Sequence, residues 1–191
     1  MSAPTHEERV VIWRYTIAHS SFNQARVALM YLLTHPELPE EIKQAFLYSG
    51  IICYARPFTK SHITVSERIV CLDDTVIPAP YRALHHEHIT WRDKAVAHTD
   101  VCIFSDTLVN NVVVVLKPDG FELKTAGAYS LTEAGLHDTI TMCDYFITHC
   151  EMQLSPYRHF FTGHKHGVYK MNFDDGDNWL TEWPMLPPTS I

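Results

Sequence analysis

Residues 11–32, VIWRYTIAHSSFNQARVALMYL, carry apolar or small side chains at Val11, Tyr15, Ala18, Phe22, Ala25, Leu29 and Leu32. Steps of four and three alternate there without a break, which marks one buried face of a long α-helix. Working outward, Pro36 and Pro39 close this helix. The segment PEEIKQAFLYSGIICYA from Pro39 then opens a second helix with a proline and two glutamates in its first turn, where the free N–H groups and the helix dipole favour them. That helix ends near Arg56-Pro57. Residues 58–79 have no sustained period and are broken by Asp73-Asp74 and Pro78, so they read as a long loop with at most a helical turn. A third helix starts at Pro80, and its stripe runs Leu84, His88, Trp91, Ala95, His98, Cys102.

The period then changes. NVVVVLKPDGFELKT (111–125) is a β-branched run, a Lys117-Pro118-Asp119-Gly120 turn and a second short run, which predicts a β-hairpin at about 111–126. Ser130-Leu131-Thr132-Glu133 matches a capping box, and the helix it opens has the stripe Leu136, Ile140, Cys143, Ile147, Cys150, Leu154 before Pro156. Four striped helices predict an all-α bundle with a hairpin between the third and fourth helices. The bundle domain spans 1–155, and 156–191 is an irregular C-terminal extension packing on it. Because an isolated hairpin is marginal in water, it should pack on the bundle or on a second subunit, which points to a dimer.

With 191 residues, 46% of them apolar, the chain can bury one good core. No apolar window is long enough to span a membrane, and MSAPTHEERVV lacks the features of a secretory signal, so a soluble, cytoplasmic protein is expected. The five cysteines include no C-x-x-C pair and sit mostly in apolar runs, as reduced thiols do. A formal charge of −7 argues against a broad basic face, so any nucleic acid must be gripped locally. Thirteen histidines inflate every motif search.

One such motif is RDKAVAHTD, residues 92–100. An arginine followed closely by a histidine also occurs at Arg14/His19, Arg82/His88 and Arg158/His164, so spacing alone decides nothing. Context sets Arg92/His98 apart. RDKAVAH, together with YARPF (54–58) closing the second helix and HHEHITW (85–91) before the arginine, resembles the HEPN superfamily of helical-bundle proteins, whose signature is arginine, a polar residue, and histidine after four to six intervening positions. The likeness covers about residues 40–155. It implies an up-and-down four-helix bundle that forms homodimers with the two motifs facing each other. It also implies a metal-independent endoribonuclease of toxin, antiphage defence or RNA-processing systems, with no cofactor and with a protein or nucleotidyltransferase as a possible further partner. On that basis Arg92, His98 and Asp93 are the candidate catalytic set, and Lys94, Tyr54 and Arg56 the candidate substrate contacts. The position after the arginine, most often asparagine in the family, is Asp93 here, and its carboxylate partly cancels the guanidinium's field.

The residue types suit the chemistry on their own. Cleaving RNA through its own 2′-hydroxyl needs a group that accepts that proton near neutral pH, and positive charge on the crowded phosphate. Histidine titrates in that range, and guanidinium keeps its charge. Positions six apart on one ideal helix point about 120° from each other, so a loosened helix end, arginine's length or a second subunit must bring the two groups together. The structural alternative gives His98 a hydrogen-bonded core position near Trp91, and Arg92 an ion pair with Glu87, Asp93 or Asp100. For Arg56 it gives a buried tie between the second and third helices.

Two other function classes stay open. The same fold without catalysis would be a dimeric binding or regulatory module. A metal-dependent bundle enzyme could use His85 and His88, one helical turn apart, with His98, Glu133 or a residue of a second chain as third ligand; ordinary structural histidines are the simpler reading. Asp174-Asp175-Gly176-Asp177 lacks the rest of a calcium loop and reads as a turn.

Overall fold

The computed structural model describes residues 3–59, 61–62, 69–93, 111–117, 120–126, 131–165, 167–173 and 178–182. The described residues are mostly helical and hold four α-helices: α1 (His6–Thr34), α2 (Glu40–Ala55), α3 (Arg82–Trp91) and α4 (Glu133–Leu154). The first is held at its start by a full capping box, in which Thr5 accepts from the Glu8 backbone and the Glu8 carboxylate accepts from the Thr5 N–H at 2.7 Å. Its predicted stripe is the core: Ala18, Phe22, Ala25 and Leu29 are buried.

Around that stripe the other helices gather. Phe22 stacks on Phe146 of α4 at 4.8 Å and meets Tyr54 of α2 edge-on at 5.9 Å. Leu29, Leu47, Ile51 and Ile140 form a second apolar cluster, against which Trp91 packs. Polar pairs fix the α1–α4 register at the surface, with Arg26 to Asp144 at 2.6 Å and His19 to Glu151 at 3.5 Å. Gly50 lets α2 lie close to α1, because a Cβ at that position would stand 2.8 Å from a Leu29 methyl.

Where the sequence predicts a loop, the chain is partly regular. Strands β1 (Ser61–His62) and β2 (Ile69–Val70) pair antiparallel, and 3₁₀ turns cover Asp74–Val76 and Ala79–Tyr81. The predicted hairpin is β3 (Asn111–Lys117) with β4 (Gly120–Ala126), in register from Asn111↔Ala126 to Lys117↔Gly120. The cap of α4 falls two residues later than the predicted capping box: Thr132 is the N-cap, its hydroxyl accepting from the Gly135 N–H at 3.1 Å. The helix begins at Glu133, so that glutamate occupies its first position instead of the third, and the box does not close with its reciprocal bond. Ser130, Cys102, the second half of the predicted third helix and the Asp174–Asp177 turn lie outside the described residues.

Beyond α4 a 3₁₀ segment (Ser155–Phe161) and two short paired strands, β5 (Tyr169–Met171) and β6 (Leu180–Glu182), pack on the first half of α1. Ile12, Phe160 and Trp179 form their shared apolar cluster. Buried Arg9 ties the two ends of the chain together, donating to the carbonyls of Pro4, Asn172 and Phe173 at 3.0–3.1 Å. Among the described residues no helix is long and apolar enough to cross a membrane, and Cys53, Cys71, Cys143 and Cys150 are free thiols.

Candidate active site

The third helix ends where the Arg92 motif begins. Trp91 is anchored in the apolar cluster of α1, α2 and α4, and Arg92 keeps a helical backbone (φ −57°, ψ −46°), its N–H reaching both the His88 and Ile89 carbonyls. Arg92 and Asp93 are both half-buried, and the guanidinium donates to the Asp93 carboxylate. Among the described residues, Asp93 is the carboxylate that pairs with Arg92. Lys94 and His98, the other motif residues, lie outside the described residues, as does Asp100.

Directly behind this helix is a chain of buried polar groups. Tyr54 is fully buried, with its hydroxyl 2.9 Å from His85 Nδ1 and 3.6 Å from the Met142 sulfur. On the far side of the ring, His85 Nε2 faces the exposed Asp74 carboxylate at 3.7 Å. With a carboxylate opposite Nε2, the neutral ring keeps its proton there, and Nδ1 accepts from the Tyr54 hydroxyl. Burial lowers the His85 pKa, and the Asp74 charge offsets only part of that. Burial likewise pushes the Tyr54 pKa up, so the phenol stays protonated.

His88 has a separate anchor. Its Nε2 lies 2.9 Å from the Thr139 hydroxyl, which donates its own proton to the Gly135 carbonyl at 2.7 Å. A hydroxyl has one proton, so His88 Nε2–H must be the donor in the first bond. Burial lowers the His88 pKa to about 3, and the ring is neutral throughout the physiological range. The Tyr54 ring meets both imidazoles edge-on, at 5.9 Å for His85 and 5.2 Å for His88.

These positions revise several sequence expectations. Tyr54 sits in the core with its hydroxyl engaged, a place that gives no contact with a substrate at the surface. Arg56 is exposed rather than buried between α2 and α3, and it lines a cleft with Arg14 of α1. His85 and His88 share one helix face, yet their ring nitrogens are committed to Tyr54, Asp74 and Thr139 on three other segments. Among the described residues no group of three or more His, Cys, Asp or Glu side chains could hold a metal ion. Glu133, one proposed third ligand, is instead exposed at the start of α4 and lines an apolar cleft with Leu32, Leu47 and Leu136.

Sequence reasoning missed Asp74, Thr139 and Arg14. Thr139 carried a signal, since it falls on the α4 stripe between Leu136 and Cys143 at helical spacing, and a polar residue there needs a buried partner. Asp74 and Arg14 carried none. No family profile, curated protein or solved structure matches this chain.

Proposed function

We propose that this chain is a HEPN-like, cytoplasmic protein, an up-and-down four-helix bundle that dimerises and cleaves RNA without a metal, in a toxin, antiphage or RNA-processing system. The observation that carries the reading is the half-exposed Arg92 guanidinium at the C-terminal end of α3, inside the sequence RDKAVAH. A regular helix would aim Arg92 and His98 about 120° apart, so the facing subunit of the dimer supplies one member of each pair. The side-chain contacts support the bundle. The pairs Phe22–Tyr54 and Tyr31–Phe46 run α1 against α2. Arg26–Asp144 and His19–Glu151 run α1 against α4. His85 lies beside Phe58, while Trp91 packs on the cluster that holds Leu47 and Ile51, which fits α3 running against α2.

In this reading His98 accepts the 2′-hydroxyl proton and the 2′-oxygen attacks the adjacent phosphorus. Arg92 stabilises the charge on the five-coordinate phosphate. The bond to the 5′-oxygen breaks, that oxygen takes up a proton, and the products carry 2′,3′-cyclic phosphate and 5′-hydroxyl ends. Asp93 orients the guanidinium, and Lys94 adds positive charge beside it.

A second reading draws on the Arg92–Asp93 ion pair, which spends part of the guanidinium's charge inside the protein. It makes the chain a dimeric binding or regulatory module without catalysis. Incubating the purified protein with total RNA in the presence of a chelator separates the two. The nuclease produces cyclic-phosphate ends, and His98→Ala reduces the rate by at least about a hundredfold while light scattering still reports a dimer. RNA left intact by the wild type, or cleaved equally well by His98→Ala, sinks the nuclease reading.

A further inference from the structure

At the far end of α1 from Trp91, two clefts flank one ridge of the helix. Trp13 and Ile17, four residues apart and so neighbours on one face, line both. The smaller, about 240 Å³, is also lined by Arg14, Arg56 and Cys71. Neither arginine has a carboxylate partner among the described residues, and Arg14 Nε is buried without a hydrogen-bond acceptor. That is unusual in a chain with 22 acidic side chains against 15 basic ones. Two arginines lining one cleft, one of them with an unused buried donor, fit an anion, and their planar forks suit phosphate oxygens.

The larger cleft, about 660 Å³, is walled by Trp13, Ile17, Phe161, Tyr169, His164 and Lys165. Phe161 and Ile17 are each 40% exposed there, although the protein has core available for large apolar groups. Its volume suits a planar ring system, and its rim carries a cation. A phosphate site and an aromatic site sharing one wall match the repeating unit of a nucleic acid strand, in which a charged phosphate is followed by a flat base.

We infer that the Arg14–Arg56 cleft and the adjoining Trp13–Phe161 cleft together grip single-stranded RNA, one phosphate between the arginines and the neighbouring base against the aromatic wall. The inference rests on the proposed action on RNA and names where the strand is held away from the Arg92 motif. It answers the acidic net charge, since a local grip of this kind needs no broad basic face. A duplex, whose bases are stacked internally, offers the phosphate but not the free base, so the site discriminates against it.

The test uses wild-type protein and a short fluorescein-labelled single-stranded 2′-O-methyl oligoribonucleotide, which lacks the attacking hydroxyl and survives the incubation. Fluorescence anisotropy is expected to show binding that is weakened roughly tenfold by Phe161→Ala. Arg56→Gln, at an exposed position where folding is not at risk, is expected to weaken it similarly. Arg14→Gln is expected to weaken binding to the same degree, and the matching duplex binds less tightly. The Arg14→Gln/Arg56→Gln double variant should make the salt dependence shallower by about 0.7, the share of the one phosphate the two arginines hold on a single strand. Absence of binding, an unchanged affinity in the Arg14→Gln/Arg56→Gln double variant, or equal affinity for duplex overturns the inference. The two proposals fail separately. Strand binding that depends on these arginines, in a protein that never cleaves unmodified RNA, removes the nuclease and keeps the grip. Cleavage by a protein whose strand affinity ignores both arginines does the reverse.

Discussion

Among single residues, the histidines of α3 show how burial decides chemistry. His85 and His88 belong to the same helix face, and each is kept neutral by burial, His85 also by a hydrogen bond in which its Nδ1 accepts from Tyr54. Their titration is a stability property. In the folded protein His88 stays unprotonated down to about 3, whereas in the unfolded chain it takes up a proton near 6.5. Between those values the unfolded state binds more protons, so stability rises with pH and is lost as acid is added below 6.5, by at most about 1.4 kcal/mol per pH unit from His88. His85 shifts in the same direction and adds to the loss. Urea unfolding at pH 7 and pH 5 should therefore show a drop that His88→Leu cuts by about half, Thr139 keeping its bond to Gly135. A His88→Leu protein with the full drop would assign the proton uptake elsewhere. The sequence placed His88 and Trp91 on the buried stripe by spacing. It gave no sign of Tyr54 as the group between the two rings, because Tyr54 comes from another helix.

Secondary-structure elements show where local rules hold and where packing overrides them. The α1 stripe was readable because four-three spacing is a consequence of helix geometry alone. Gly50 in α2 is a contrasting case. On propensity, alanine in the middle of a helix is favoured over glycine by about 1 kcal/mol. A Cβ at that position, however, lies 2.8 Å from Leu29 Cδ2 and 2.9 Å from its Cγ, and Leu29 is fully buried. Overpacking of that kind costs about 1–3 kcal/mol. Gly50→Ala should thus destabilise by about 1 kcal/mol net in urea unfolding, and a gain in stability would mean that Leu29 moves aside freely. Regular α-helix in α3 runs through Trp91, and the predicted continuation of its stripe through Ala95 and His98 lies outside the described residues. The cap of α4 shifted from Ser130 to Thr132. Several polar residues precede that helix, and the packing of Leu131 against the Leu29 cluster selects which one stands at its start.

For the whole molecule, the decisive contact is between the chain's two ends. Arg9 donates to Pro4, Asn172 and Phe173 from a buried position, and the Ile12–Phe160–Trp179 cluster lies alongside. Arg9→Leu removes those charged hydrogen bonds and should cost about 2–3 kcal/mol. It should also speed amide exchange in 169–173 and 180–182, and wild-type exchange there would show that the apolar cluster holds the tail unaided. Ile12 of that cluster lines the aromatic cleft with Tyr169, Met171 and Leu180 of the tail strands, so the tail, which has no readable period, takes part in the proposed RNA grip. By itself the sequence determined the mostly helical class, the positions of α1, α2 and α4, the 111–126 hairpin and the buried face of α3. Each of these depends on spacing between residues close in the chain. Tertiary structure alone decided that Tyr54, His85 and Asp74 form one line, that Thr139 receives His88, and that Arg14 and Arg56 share a cleft. Those groups meet only after loops of no fixed period close, and the free energy that selects such meetings comes from burying the whole core, which no local window of sequence contains.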